Sequence, residues 1–374
     1  MFGRNYLSFL PIRIAWSPPP HPPRPAPPRT LPRPPTRLLP PMSCSFPVGV
    51  LDLGAQEVRG TLAVAAAADV LGFGRFWITE HHDEGAPHAN PTLLAALVAQ
   101  GTRALRVGPS GVLLRYRTAL VVAHDATLLE ALFPGRVDFG VASARAPSPQ
   151  AAALGDGLPD DDDALAARTL DFLAILRRET ALVPLPAPAP DAAPAPDAAP
   201  AGPPPVWLSG NSHARARFAA AAGVGFASSS FHTSVPVSPD VFARYRDAFV
   251  PRPELPAPVT ALAVSVLCAE SAAEVRVYDD VYQRLFGYEQ TVVGTAAQCA
   301  EQLAALQRAT GADELVLAPR QHTAAEAVRG LRALAAALGL PTLAAALGLP
   351  APAAALGLPT PAATLRHPAP PAPR

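Results

Sequence analysis

The chain has 374 residues, of which 49% are hydrophobic, so it is long enough and apolar enough to bury a sizeable core. Its 30 basic and 30 acidic side chains balance, which gives no general attraction to nucleic acid or to an anionic membrane surface. Every basic residue is arginine, and this excludes a Schiff-base lysine or a phosphate-loop lysine.

Residues 1–42 are rich in proline and arginine and contain no acidic residue. Such a segment favours extended polyproline conformations and cannot pack a core, so we expect a disordered leader. A secretory signal is excluded because Pro11 and Arg13 break its short apolar start. A proline-rich ligand for a partner domain, or a true translation start at Met42, are the alternatives.

From Ser45 onward, apolar strand candidates alternate with helix candidates. The strands are predicted at 46–53, 75–80, 105–111, 136–142, 205–210, 224–230, 259–268 and 313–318. Continuous apolar strands separated by helices indicate a parallel sheet that is covered on both faces. Eight such units close into a (β/α)8 TIM barrel over 43–340. The alternative is an open doubly wound sheet, against which the missing GxGxxG after the first strand counts.

Three further segments interrupt or follow this alternation. Asp160–Asp163 could be a metal cluster, but an acidic first turn of the helix that follows is the preferred interpretation. Residues 184–205 form a Pro/Ala-rich linker that we expect to be mobile. The tail 341–374 repeats a short Ala/Leu/Pro unit, which we interpret as low-complexity sequence.

Polar and titratable side chains follow most of the predicted strands. They are Asp52, Glu80, His81, His82, Ser110, Ser143, Arg145, Asn211, Ser212, His213, Ser228, Ser229, Ser230 and His232. In a barrel, the carboxyl ends of all strands meet at one mouth, so we expect these side chains to converge there. Any one of them alone could simply cap a helix or bond a loop.

Glu80, His81 and His82 end the second strand and include the strongest candidates for chemistry. Adjacent residues on a strand face opposite sides, so both histidines cannot bind one metal from regular geometry. HExxH spacing is missing, and Cys44, Cys268 and Cys299 have no metal-ligand spacing, so no metal site is predicted. The widely spaced cysteines also suggest a reducing, cytoplasmic setting. One histidine that exchanges a proton near neutral pH is the preferred interpretation.

The fifth strand ends in Ser209-Gly210-Asn211-Ser212 and leads directly into a helix. Free N–H groups at a helix N-terminus bind phosphate, and glycine would permit a close approach. Arg145, which follows the fourth strand, could complete an anion site. A simple helix cap at Ser212 is the equally weighted alternative.

Several segments together resemble the bacterial luciferase-like flavin monooxygenases. They are VGVLDLG, FWITEHH, LRVGPSGVLL, LLEALFPGRVDFG, PPVWLSGNS, GFASSSFH and VVGTAAQCAEQL, and they occur in the family's order across most of 46–340. Each piece alone is weak, whereas the EHH, EALFPGRVDFG and WLSG elements in combination are fairly specific. This resemblance implies a TIM barrel that oxidises a small organic substrate with molecular oxygen and reduced FMN, supplied by a separate flavin reductase.

The resemblance also implies roles for particular residues. The family's catalytic histidine falls in the EHH motif and corresponds to His81, with Glu80 beside it. The flavin ring would lie against Ser110-Gly111, a dipeptide that often has a cis bond in the family. The flavin phosphate would lie on Gly210, Asn211 and Ser212, with Arg145 nearby.

Two other functions remain open on the same barrel. A deazaflavin cofactor could serve hydride transfer, because that branch of the superfamily shares the barrel and the phosphate region. A non-catalytic barrel that binds a flavin or a partner is the second alternative. Family members are often dimers, so a homodimer is added to the expected partners, and nothing in the sequence identifies the substrate.

Overall fold

The computed structural model describes residues 46–54, 57–82, 88–144, 153–154, 158, 161–183, 202–231, 239–277 and 292–343. The predicted leader, residues 184–201 of the predicted linker and residues 344–374 of the predicted tail lie outside these ranges. Arg145 and His232 also lie outside the described residues.

Parallel strands form a single sheet around one axis. They are β1 (Val48–Asp52), β2 (Arg75–Ile78), β3 (Arg106–Pro109), β4 (Val112–Leu113), β5 (Phe139–Ala142), β6 (Val206–Ser209), β7 (Gly225–Ser229), β8 (Thr260–Ala269), β9 (Val292–Thr295) and β10 (Glu314–Pro319). Their order is β3-β2-β1-β10-β8-β7-β6-β5-β4, with β9 paired to the end of β8. A parallel bridge between Val107 and Val137 joins the two edges of this order. The predicted (β/α)8 barrel and its eight strands are therefore confirmed, and β4 and β9 are additions.

Helices separate the strands and cover the barrel. They are α1 (Val58–Leu71), α2 (Pro91–Gly101), α3 (Ala119–Leu132), α4 (Asp162–Leu176), α5 (His213–Ala222), α6 (Pro239–Asp247), α7 (Ala296–Thr310) and α8 (Ala324–Leu338). The predicted glycine cap of α1 is present, with Gly72 at φ 86°. Asp161 caps α4 by accepting the Ala164 N–H at 2.8 Å, so the acidic run begins a helix. In the described ranges, no helix is both long and apolar enough to span a membrane.

The third barrel strand is broken at its carboxyl end. β3 pairs with β2, whereas β4 pairs with β5, so the chain changes partner between Pro109 and Val112. The Ser110–Gly111 peptide bond at the break is cis, as the family resemblance implies. At Gly111 a Cβ would lie 2.7 Å from the Val141 carbonyl carbon, so the close approach to β5 requires glycine.

The interior of the barrel is packed at its amino-terminal end. The Arg75 guanidinium lies 4.8 Å from the ring centroid of Trp77 and 4.9 Å from that of Trp207. It also pairs with Asp138 and, at 2.9 Å, with Glu314. This buried group fills the interior below the two indoles, and Trp77 in turn lines the cavity at the carboxyl end.

Candidate active site

A cavity of about 420 Å³ opens at the carboxyl ends of the strands. It is lined by Leu51, Trp77, Thr79, Glu80, His81, His82, Ser110, Gly111, Leu113, Ala142, Ser143, Ala144, Ser209, Gly210, Asn211, Ala227, Ser228, Ser229, Phe231 and Ala263. Its size falls in the range of small-molecule sites. Eight of the strand-end polar residues predicted to converge line this one cavity. Asp52, Ser212, His213 and Ser230 are outside its lining.

Glu80 is a fully buried carboxylate that holds the segments around it together. Its Oε1 accepts from His82 Nε2 at 2.6 Å and from Arg117 Nη2 at 2.9 Å. Its Oε2 accepts the backbone N–H of Leu113 at 2.8 Å. Three donors on one buried carboxylate fit a positioning role, because Glu80 fixes the end of β2 against β4. Proton transfer by Glu80 itself stays a prediction.

Both histidines of the Glu-His-His segment line the cavity. The expectation that they face opposite sides of a strand is wrong, because β2 ends at Ile78 and regular alternation ends with it. The His82 ring is held by Glu80 and lies edge-on to the ring of Tyr116, with centroids 6.2 Å apart. His81 is half-buried at the cavity wall and remains the candidate for proton transfer.

His88 supports the backbone of His81 from inside the protein, and its part was not foreseen from the sequence. Its carbonyl oxygen accepts the His81 N–H at 3.3 Å. Its wholly buried ring places Nε2 at 3.1 Å from Thr61 Oγ1 and 3.9 Å from Asp52 Oδ2. Burial lowers the pKa of His88, and the negative charge of Asp52 opposes that shift.

Ser110 and Gly111 form the wall of the cavity between the ends of β2 and β5. The Ser110 N–H donates to Ile78 O at 2.7 Å, which keeps this segment on the barrel after β3 has ended. The predicted flavin-contacting dipeptide therefore lies in the same cavity as His81. Its role toward a flavin stays a prediction.

In the turn after β6, where an anion site is predicted, the side chains of Asn211 and Ser212 bond to the protein itself. Asn211 Oδ1 accepts from Ser228 Oγ at 2.7 Å and from the Ser229 N–H at 2.9 Å, so this side chain ties β6 to β7. Ser212 Oγ caps α5 by accepting the Arg215 N–H at 3.1 Å. A Cβ at Gly210 would lie 2.5 Å from Arg215 Cγ. The glycine thus makes room for the stem of Arg215, and its contact with a phosphate stays a prediction.

Two arginines that were not predicted as site residues from the sequence lie beside this turn. Arg215 Nε points to Ser209 O at 3.4 Å from the first turn of α5. Arg115 Nη2 lies 3.4 Å from Ser143 O and 3.2 Å from Asp162 Oδ1. Both therefore contact residues at the ends of β5 and β6, where the sequence pointed to Arg145. Each arginine follows the end of a strand by a few residues, and this sequence position is the signal from which they could have been predicted.

The absence of a metal site stays a prediction. In the parts of the chain that the structure describes, no three metal-binding side chains come together. Asp161 and Asp162 serve α4 as its cap and first turn.

A TIM barrel with a cavity of about 420 Å³ at the carboxyl ends of its strands has the architecture of a barrel enzyme, in which the chemistry lies at those ends. Residues 42–290 match the family model for luciferase-like monooxygenases. The chain is 31% identical over 315 residues to YwcH of Bacillus subtilis, and this alignment covers 74% of this chain and 92% of YwcH. The chain belongs to the luciferase-like monooxygenase family, whose class is the oxidoreductases that incorporate oxygen.

Solved structures agree with this assignment. Apo-MsnO8 is 30% identical and superposes with a TM-score of 0.68, covering 79% of this chain and 99% of that one. The FMN complex of the oxygenating constituent of 3,6-diketocamphane monooxygenase from Pseudomonas putida is 16% identical, with a TM-score of 0.57 over 78% and 96%. An F420-dependent secondary alcohol dehydrogenase is 14% identical, with a TM-score of 0.57 over 78% and 99%. These last two likenesses concern the fold alone.

Proposed function

We propose that the protein is a flavin-dependent monooxygenase that uses reduced FMN and molecular oxygen to oxidise a small organic substrate. The observation that carries the proposal is that His81, the Ser110-Gly111 segment and the Gly210-Asn211 turn line one cavity. Family membership supports the reaction class. A separate flavin reductase would supply the reduced cofactor, and a homodimer is the assembly we expect.

The chemistry of the cavity wall fits a flavin. An apolar floor of Leu51, Trp77, Ala227 and Ala263 suits a flat aromatic ring system. The same cavity also has polar lining groups, among them Ser143, Ser209 and Asn211, and the ribityl hydroxyls and phosphate of FMN would need such hydrogen-bond donors and acceptors. Small alanines on β7 and β8 leave the space that larger side chains would fill.

Within this proposal, the residues of the chain bind, orient and exchange protons. Reduced FMN, when bound, supplies the electrons that activate oxygen. Ser110 and Gly111 would hold the flavin ring at the cavity wall, and Trp77 would exclude water from the inner end of the cavity. His81 gives or takes a proton at its imidazole next to the reacting atoms. Glu80 holds His82 and Leu113, and thereby the shape of that wall.

A deazaflavin-dependent hydride transfer is the second candidate, because an F420-dependent enzyme shares the fold. A non-catalytic barrel is the third. Fluorescence titration of the purified protein with FMN, anaerobically reduced FMN and reduced deazaflavin separates them. Tighter binding of reduced FMN is expected. Preferential binding of deazaflavin would rule out the monooxygenase, and no binding to any would rule out both enzymes.

His81→Gln tests the proposed proton transfer. We expect turnover to fall by roughly 10²–10⁴-fold with flavin affinity retained, which is the usual size of a general acid–base contribution. His82→Gln is the matched variant, because that ring is engaged by Glu80. It should change stability more than turnover. Equal losses of turnover in the two variants would refute the assignment.

A further inference from the structure

Two cysteines outside the cavity meet between the barrel and its helical cover. Cys268 lies near the end of β8 and shares one face of that strand with Val264 and Val266, in the same core cluster. Ala263, on the opposite face, lines the cavity. Cys299 lies in the first turn of α7, the helix that packs against β8 and β9. Both thiols are free and buried, so they share one apolar layer on the far side of β8 from the cavity.

Polar contacts fix the position of the Cys299 sulfur beside Cys268. The Cys299 Sγ lies 3.4 Å from Gly294 O and 3.8 Å from Leu267 O. Gly294 is the β9 residue that pairs with Cys268, and Leu267 precedes Cys268 on β8. The Cys299 sulfur therefore lies against the backbone that carries the other thiol. The two thiols also hydrogen-bond to each other, which brings the sulfur atoms into direct contact.

This contact makes the two thiols chemically unequal. The hydrogen bond from Cys299 lowers the pKa of the Cys268 thiol. Burial and the negative charges of Glu274 and Glu270 oppose that shift. The pKa of Cys299 is raised, first by its hydrogen bond to Cys268 and then by burial. Cys268 is therefore the sulfur that ionises more easily, and the thiolate is the form of cysteine that reacts with oxidants.

We propose that Cys268 and Cys299 form an oxidation site, in which hydrogen peroxide converts the two thiols into a disulfide between β8 and α7. The Cys268 thiolate attacks one peroxide oxygen, the O–O bond breaks, and a sulfenic acid and hydroxide form. The Cys299 sulfur then attacks the sulfenic sulfur, the S–O bond breaks, and the hydroxide leaves as water with the Cys299 proton. Two thiols are oxidised, and one peroxide molecule is reduced to two water molecules.

The burial of both sulfur atoms selects the class of oxidant. Cys268 is 5% exposed and Cys299 is 0% exposed, so a bulky disulfide such as glutathione disulfide has no route to either sulfur. Hydrogen peroxide is small enough to reach Cys268. Because the Cys299 thiol is already in contact with Cys268, the disulfide forms before the sulfenic acid is oxidised further. This oxidation needs no flavin, so it is independent of the proposed function.

Peroxide treatment of the folded whole chain, followed by mass spectrometry without reduction, tests the proposal. The wild type is compared with Cys44→Ala, in which only the proposed pair can react. In both proteins we expect the intact mass to fall by two hydrogen atoms, with one cross-linked peptide pair that contains Cys268 and Cys299. Dithiothreitol should reverse the change completely. Unchanged thiols, a cross-link to Cys44, or sulfinic acid in place of the disulfide would overturn the inference.

Single substitutions test which sulfur reacts first. In Cys299→Ala, peroxide with dimedone should label Cys268 as a trapped sulfenic acid, whereas in Cys268→Ala the Cys299 thiol should stay unlabelled. Glutathione disulfide should leave both thiols of the folded Cys44→Ala protein unmodified. Labelling of Cys299 to the same extent as Cys268, or rapid glutathionylation of the folded protein, would contradict the proposed order of attack. The cross-link in the wild type decides the proposal if a substituted protein does not fold.

Discussion

Glu80→Ala is expected to destabilise the protein strongly, because the buried carboxylate satisfies three donors. The unsatisfied Leu113 N–H would cost about 1–3 kcal/mol, and each charge-assisted hydrogen bond contributes about 1.5–3 kcal/mol. Arg117 is 21% exposed, so water recovers part of its share. The expected loss is therefore about 3–5 kcal/mol, the usual cost of breaking a buried ion pair.

Urea unfolding followed by tryptophan fluorescence measures this loss, since Trp77 and Trp207 are buried in the barrel. Glu80→Gln keeps the shape of the side chain but loses its charge. The free energy of unfolding should fall by about 2 kcal/mol, because the hydrogen bonds from His82 and Arg117 are weakened. Glu301→Ala, on the exposed face of α7, is the control and should stay within about 0.5 kcal/mol of wild type. A loss below about 1 kcal/mol in Glu80→Ala would refute the positioning role.

Arg75→Leu should lower the free energy of unfolding by about 3–5 kcal/mol, because Asp138 and Glu314 would stay buried without their partner; a near-neutral result in urea unfolding would contradict this account of the barrel floor. For His88, burial places the folded-state pKa below its ordinary value of 6.5, with Asp52 opposing. As the pH falls, His88 therefore binds a proton in the unfolded chain before it does so in the folded protein. Its contribution to the free energy of unfolding is present above about pH 6.5 and is lost as the pH falls below that value. In His88→Asn, urea unfolding at about pH 7.5 and about pH 5.5 should show a smaller loss on acidification. If the wild type and His88→Asn show the same pH dependence of the free energy of unfolding, His88 contributes nothing to that dependence.

Much of the fold follows from the sequence because hydrophobic patterning and helix caps are local signals. The eight strands and the end of α1 at Gly72 needed only apolar runs and a glycine. β4 was missed because a two-residue strand after a cis bond has no periodicity of its own. β9 was missed because its pairing partner, the end of β8, is distant in sequence.

The candidate site was only partly predictable. His81, Ser110, Gly111, Gly210 and Asn211 share one cavity, as strand-end positions in a barrel imply. Side-chain pairing could not be predicted, because it depends on contacts between elements far apart in the sequence. The Glu80–Arg117 and Asn211–Ser228 contacts are of this kind. Because of these contacts, Glu80 and Asn211, which the sequence suggested were available for chemistry, hold the cavity wall together.

Anaerobic titration of the Ala142→Phe variant with reduced FMN tests most directly whether the cavity at the carboxyl ends is the flavin site. Ala142 ends β5 and lines that cavity, so a phenyl ring there would occupy the space assigned to the cofactor. We predict that affinity for reduced FMN falls by about tenfold or more, whereas Ala131→Phe on the exposed face of α3 binds as wild type. Wild-type affinity in a folded Ala142→Phe protein would contradict the central claim.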